Sequence, residues 1–156
     1  MSSSPSIPAF YRTFFTTLDP LIALSGVYLD FFDPQHVMAA FNPPWLLPKT
    51  QDPAYDMLFH QLGGGMLGYL FLQVFLLRAT NDLKVWKLFQ TAVLLFDAVC
   101  LWSLWVTLEK QDRLSLSKWR SEDWGCVVIT LGVAVVRSAF LAEVGFRKIV
   151  GGGKRS

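Results

Sequence analysis

Three charged residues stand inside otherwise apolar runs of this chain: Asp19, Asp97 and Arg137. A charge among apolar residues is costly to bury and is retained where it pairs or acts. A guanidinium between carboxylates reduces the cost of both. Here two carboxylates face one guanidinium, so one carboxyl group is in excess and is a candidate proton donor or base. Arg137 has a second candidate role, recognising a carboxylate or polarising a carbonyl on a lipophilic substrate. In a third reading the pair only fixes helix register, and the residue types alone leave the three open.

Other polar side chains fall in the same apolar surroundings. Tyr69 and Gln73 share one run, and a second layer holds Tyr28, Asp30, His60, Gln61, Trp102, Trp105, Asp123 and Trp124. Tyr28, His60, Tyr69, Gln73 and Trp102 are the expected substrate-binding residues. His60 beside a carboxylate would form an acid/base pair, although Trp and Tyr also favour membrane interfaces for reasons unrelated to function. No metal site is expected, because His36 and His60 lie far apart and neither has a second ligand at helical spacing. Cys100 and Cys126 form neither a CxxC motif nor a disulfide framework. The Gly63–Gly68 run lacks the preceding strand and following Lys-Ser/Thr of a phosphate loop. Its Gly64 and Gly68 instead give the spacing that lets membrane helices approach closely, with Ser25-Gly26 and Gly132 as facing small surfaces.

The elements that carry these residues follow from composition. Of 156 residues, 53% are hydrophobic, 15% aromatic and only 17% charged, against about 25% charged in a soluble domain. Four apolar segments, about 10–32, 56–77, 85–108 and 124–144, each approach the roughly 20 residues that cross a hydrocarbon core as helix. They lack period-2 alternation and a polar stripe, which excludes strands and a soluble bundle. The expected fold is a single all-α membrane domain over residues 1–156, an integral four-helix bundle. At about 1.5 Å per residue, Asp19, Tyr69, Asp97 and Arg137 then share a layer roughly 12–18 Å from one face.

With four spans, both termini and the second loop share a side. That side carries Arg12, Arg78, Lys84, Lys87, Arg147, Lys148, Lys154 and Arg155 against Asp82. The other carries Lys49, Lys110, Arg113, Lys118 and Arg120, diluted by seven acids from Asp33 to Asp123. Both termini are therefore expected in the cytoplasm, and Met1–Pro8 lacks the basic region of a cleaved signal peptide. The Pro-rich first loop, Asp33–Tyr55, is expected as a lid or interfacial segment. The net charge of +2 without a basic run or stacking platform gives a nucleic-acid partner no support.

Several stretches resemble a family of small fungal integral-membrane proteins known as a domain of unknown function. They are Phe10–Phe15 with Asp19-Pro20, Phe32–Gln35, Leu76–Lys87, Phe96-Asp97, Trp119–Gly125, and Arg137 with Phe140-Leu141. The resemblance covers most of residues 10–146 and brings no general catalytic motif. Relatives tend to carry larger residues where this chain has Gly63-Gly64-Gly65, which implies a differently shaped cavity. It further implies an association with fungal natural-product pathways and a place in the endoplasmic reticulum membrane. By analogy of architecture, small helical membrane enzymes such as emopamil-binding-type sterol isomerases and fungal meroterpenoid cyclases use intramembrane carboxylates on greasy substrates.

The function expected from these readings is a cofactor-independent cyclase or isomerase of a terpenoid or polyketide intermediate. It would use Asp19, Asp97 and Arg137 for proton transfer, or shape and one hydrogen bond for a pericyclic, Diels–Alder-type closure. Its expected partners are a lipophilic small molecule and membrane lipid, with homo-oligomerisation left open. The alternative is a non-enzymatic lipophile-binding or scaffold membrane protein.

Overall fold

A computed structural model describes residues 7–47 and 52–146. Residues 1–6 of the Ser/Pro-rich N-terminus lie outside the described residues. So do Pro48, Lys49, Arg147, Lys148, Lys154 and Arg155, which enter the loop and charge reading.

All regular structure among the described residues is helical. The first span comprises α1 (Ala9–Thr13), a π-helical turn (Phe14–Leu18) and α2 (Asp19–Phe32). A short α3 (Pro34–Phe41) and a 3₁₀ turn (Pro44–Leu46) follow; then come α4 (Pro53–Ala79), α5 (Leu83–Lys110), a second 3₁₀ turn (Leu116–Lys118) and α6 (Ser121–Leu141). The four long helices hold 24, 27, 28 and 21 residues, or about 32 to 42 Å of helix, enough to cross a membrane. Only 17–28% of their most apolar windows is buried within the chain. The remaining apolar surface points outward, with Leu21, Phe71, Leu95 and Val128 all exposed, as suits a helix solvated by lipid.

The helices extend beyond the apolar runs because polar caps lengthen them. Asp52 accepts from Ala54 N at 2.9 Å and Asp82 from Lys84 N at 2.8 Å, satisfying backbone donors that open α4 and α5. The Asp19-Pro20 pair does not end the first span. Pro20 has no N–H and its ring crowds the carbonyl four residues back, and the chain accommodates it by widening into the π turn, where Asp19 N reaches Phe14 O. The carbonyls left over are claimed by α4: Gln73 Nε2 donates to Phe15 O at 2.9 Å and Arg78 Nη2 to Thr16 O at 2.8 Å. A local proline defect thus becomes a docking point between the first two spans.

Close packing occurs within two helix pairs, α2 with α4 and α5 with α6. In the first pair it is Gly63, not Gly64 or Gly68, that permits the approach. A Cβ at Gly63 would lie 2.9 Å from Asp30 Cβ and 3.1 Å from the Phe31 ring, whereas Gly64, Gly68 and Gly132 face open space. Helices apolar on every side leave their rotation undetermined by sequence, and the contact phase falls one residue from the expected one.

The pairs are held together at the end where α4 turns into α5. Tyr11, Phe15, Leu77, Trp86 and Phe140 form a buried core there. Phe140 meets Tyr11 and Phe15 edge-on at centroid distances of 5.2 and 5.4 Å, a favoured aromatic geometry. Trp86 Nε1 donates to Thr80 O at 2.9 Å, so its burial strands no polar atom.

At the opposite end the α5–α6 loop clamps α3. The Arg120 guanidinium donates to the carbonyls of Ala39, Ala40 and Asn42, at 3.1, 2.7 and 3.0 Å, and so caps the α3 C-terminus. Gln111 Nε2 donates to Phe41 O at 3.1 Å. Asp123 organises the clamp: it is fully buried, pairs with Arg113 and Arg120, and accepts from Arg120 N at 2.8 Å. Burial and the neighbouring Arg120 charge hold the Arg113 guanidinium below its ordinary value.

Candidate functional site

The buried seams of the helices converge on one polar cluster. On α4 the inward residues are Leu70, Gln73 and Leu77; on α5 they include Trp86, Gln90, Val93 and Asp97; on α6 they are Ala134, Arg137 and Phe140. These three- and four-residue steps keep a single face of each helix inward. The α4–α5 turn sets Gln73 and Gln90 at matching heights, seven residues before Thr80 and seven after Leu83. Asp19 enters the same layer as the first residue of α2, placed there by the π turn.

Arg137 is the hub. Its Nη2 donates to Asp19 Oδ2 at 2.5 Å, its Nη1 to Asp97 Oδ2, and its Nε to Gln90 Oε1 at 3.3 Å. Gln73 Nε2 donates to Asp19 Oδ2 at 2.6 Å. Every member is buried, Gln73 and Gln90 completely. The cluster joins the two helix pairs, with Asp19 and Gln73 from α2 and α4 meeting Gln90, Asp97 and Arg137 from α5 and α6. Charge-assisted hydrogen bonds of this kind are strong and directional.

The cluster is nonetheless incomplete. Two carboxylates face one guanidinium, which leaves one negative charge unbalanced. Gln73 Oε1 and Gln90 Nε2 are buried without a partner among the described residues, an unspent acceptor and an unspent donor. Buried amide atoms are rarely left so.

The structure therefore brings Asp19, Asp97, Arg137 and Gln73 together. Tyr69 lies beside them, half-buried, its ring 5.9 Å from Phe96 and within electrostatic reach of Asp19, Arg137 and Asp97. Tyr28, His60 and Trp102 are not brought to the cluster. They are exposed on the outer surface toward the α3 end, where His60 stacks on Phe31 at 5.6 Å and Tyr28 packs on Phe32 at 5.1 Å. Of the second expected layer, Asp123 turns inward to Arg113 and Arg120.

Sequence reasoning missed Gln90. Its signal was position: seven residues before Asp97 it shares the same helical face. The Arg113–Asp123–Arg120 clamp has no such signal: Asp123 belongs to the expected second layer, but Arg113 and Arg120 read as ordinary loop charges, and nothing local pairs them with it.

No curated protein and no solved structure matches the chain. One family model matches residues 4–147, which span the described helices and both charged clusters, and the chain therefore belongs to the domain-of-unknown-function family DUF7704.

Proposed function

We propose that this protein is a membrane-embedded, cofactor-independent cyclase or isomerase of a lipophilic substrate, with the Asp19–Asp97–Arg137 cluster as its acid/base centre. The observation that carries the reading is the charge imbalance of a fully buried layer. A proton on one of the two carboxyl groups balances the cluster, and that proton is available to a C=C or C=O bond of a substrate entering from the lipid. The resulting cation loses a proton from a neighbouring carbon to the same carboxylate, so the catalyst is restored and the substrate is rearranged without gain or loss of atoms. Asp97, the more exposed of the two carboxylates, is the donor in this scheme. Arg137 and Gln73 Nε2 both donate to Asp19 and hold it in place, while Gln73 Oε1 and Gln90 Nε2 receive a substrate hydroxyl or carbonyl.

The resemblance to fungal membrane proteins supports a terpenoid or polyketide intermediate of secondary metabolism as substrate and the endoplasmic reticulum as location. Arg12, Arg78, Lys84 and Lys87 at the end shared by the α4–α5 turn support cytoplasmic termini.

A second reading, a lipophile-binding or scaffold protein in which the cluster is a strut, rests on one observation. The three guanidinium nitrogens of Arg137 are already committed to protein acceptors. Mass-spectrometric profiling of a host that makes the upstream metabolites separates the two, with the protein wild type, absent, or carrying Asp97→Asn. The enzyme reading predicts the same precursor accumulating in the absent and Asp97→Asn strains, with the variant folded in the membrane. Three matching profiles would leave the strut.

A further inference from the structure

Two arginines cross the seam between the first span and α4 in opposite directions, at the end where α4 turns into α5. Arg12 Nη2 donates to Asn81 Oδ1 at 2.5 Å, just past the end of α4. Arg78 Nη2 donates to Thr16 O at 2.8 Å, back on the π turn. Arg12 precedes Thr16 by four residues and Arg78 precedes Asn81 by three, so the two guanidiniums stand about one helical turn apart on one seam.

Neither is neutralised. Both acceptors are uncharged, and no carboxylate lies within ion-pairing distance of Arg12, Arg78 or Lys84 among the described residues. Lys87, on the next turn of α5, is different: it pairs with Glu143 at 2.5 Å. The nearest acid in sequence, Asp82, accepts from Lys84 N as the cap of α5. Trp86 steadies Arg12 further, with its ring 5.7 Å from the guanidinium carbon. Guanidiniums positioned by neutral groups keep their charge and their remaining N–H donors for a ligand, and their planar fork matches the oxygens of a phosphate.

The surface just inside these charges is apolar. Phe75 and Phe71 lie three and seven residues before Arg78, on the same face of α4. Their rings stand 4.7 Å apart, and both residues are more than half exposed. A soluble anion would meet the guanidiniums and leave this ridge bare. A phospholipid meets both, because its acyl chain begins where its headgroup ends.

We infer that the Arg12–Arg78 seam binds the phosphate of an anionic bilayer lipid, with an acyl chain laid on the Phe71–Phe75 ridge.

The test is native mass spectrometry of the full chain released from micelles that hold equal amounts of phosphatidylglycerol and phosphatidylcholine. Phosphatidylglycerol is expected to be retained in preference. Arg12→Gln with Arg78→Gln is expected to reduce its retention about tenfold or more. Lys110→Gln with Lys118→Gln removes the same charge at the other end of the molecule and is expected to leave retention unchanged. Phe71→Ala with Phe75→Ala keeps both guanidiniums and is expected to reduce retention severalfold, so the inference stays testable if the arginine variant fails to fold. Equal retention of the two lipids, displacement of the lipid by millimolar inorganic phosphate, an equal loss in the lysine variant, or retention unchanged in the folded arginine or phenylalanine variant would overturn the inference. None of these results depends on catalysis at Asp97.

Discussion

Arg137→Met is expected to destabilise the bundle more than any other single substitution in the membrane layer, by about 3–5 kcal/mol. The substitution keeps most of the side-chain volume but removes the hub. Asp19 and Asp97 then lie buried without their shared cation, and Gln90 Oε1 loses its donor. A loss of that size is comparable to the whole stability of many domains, so the variant is expected to disappear from the folded peak in thermal challenge followed by size-exclusion chromatography. Restoring charge balance is the control. Arg137→Met combined with Asp19→Asn and Asp97→Asn leaves no buried charge and is expected to regain most of the lost stability. If the single variant melts like the wild type, the two helix pairs are not held by this cluster.

Asp123→Ala is expected to have the next largest effect, about 3 kcal/mol, and to act at the other end of the molecule. Asp123 is shared by Arg113 and Arg120; its loss leaves the buried Arg113 guanidinium without a carboxylate partner among the described residues, which costs far more than losing an exposed pair. It also removes the acceptor for Arg120 N at the start of α6. With Arg120 released, the carbonyls of Ala39, Ala40 and Asn42 lose their donor, and α3 is expected to lift from the bundle. Hydrogen exchange over residues 34–42 should accelerate in the variant while the α4–α5 turn end stays protected. Unchanged exchange there would show that α3 is held by its apolar contacts alone.

How much of this was legible in the sequence depended on whether a residue stood out from its surroundings. Asp19, Asp97 and Arg137 were legible because a charge in an apolar run has few reasons to exist, and helical rise alone placed them in one layer. Gln90 was not, because a single amide is tolerated in a long apolar helix; only its heptad spacing from Asp97 marked it. A proline such as Pro20 ordinarily breaks a helix, since its missing N–H and crowding ring leave carbonyls orphaned unless neighbours serve them. Gln73 and Arg78, more than fifty residues away, do so, and no local pattern reveals that. The four long helices followed from length and apolarity, but their rotation did not. The packing glycine is therefore Gly63, while Gly64 and Gly68 face outward, and Trp102, expected at the site, lies on the outer surface. The clamp of Arg113, Arg120 and Asp123 depends on a chain reversal that composition does not encode.

Acid/base chemistry in the buried cluster requires a proton that it can donate. Infrared difference spectroscopy of the protein in bilayers, with isotope-labelled aspartate, tests it most directly. The expected spectrum shows the carbonyl stretch of one protonated carboxyl group in the wild type, lost in Asp97→Asn and retained in a surface variant such as Asp82→Asn. A spectrum in which every aspartate is ionised, or in which Asp97→Asn leaves the protonated band untouched, would contradict it.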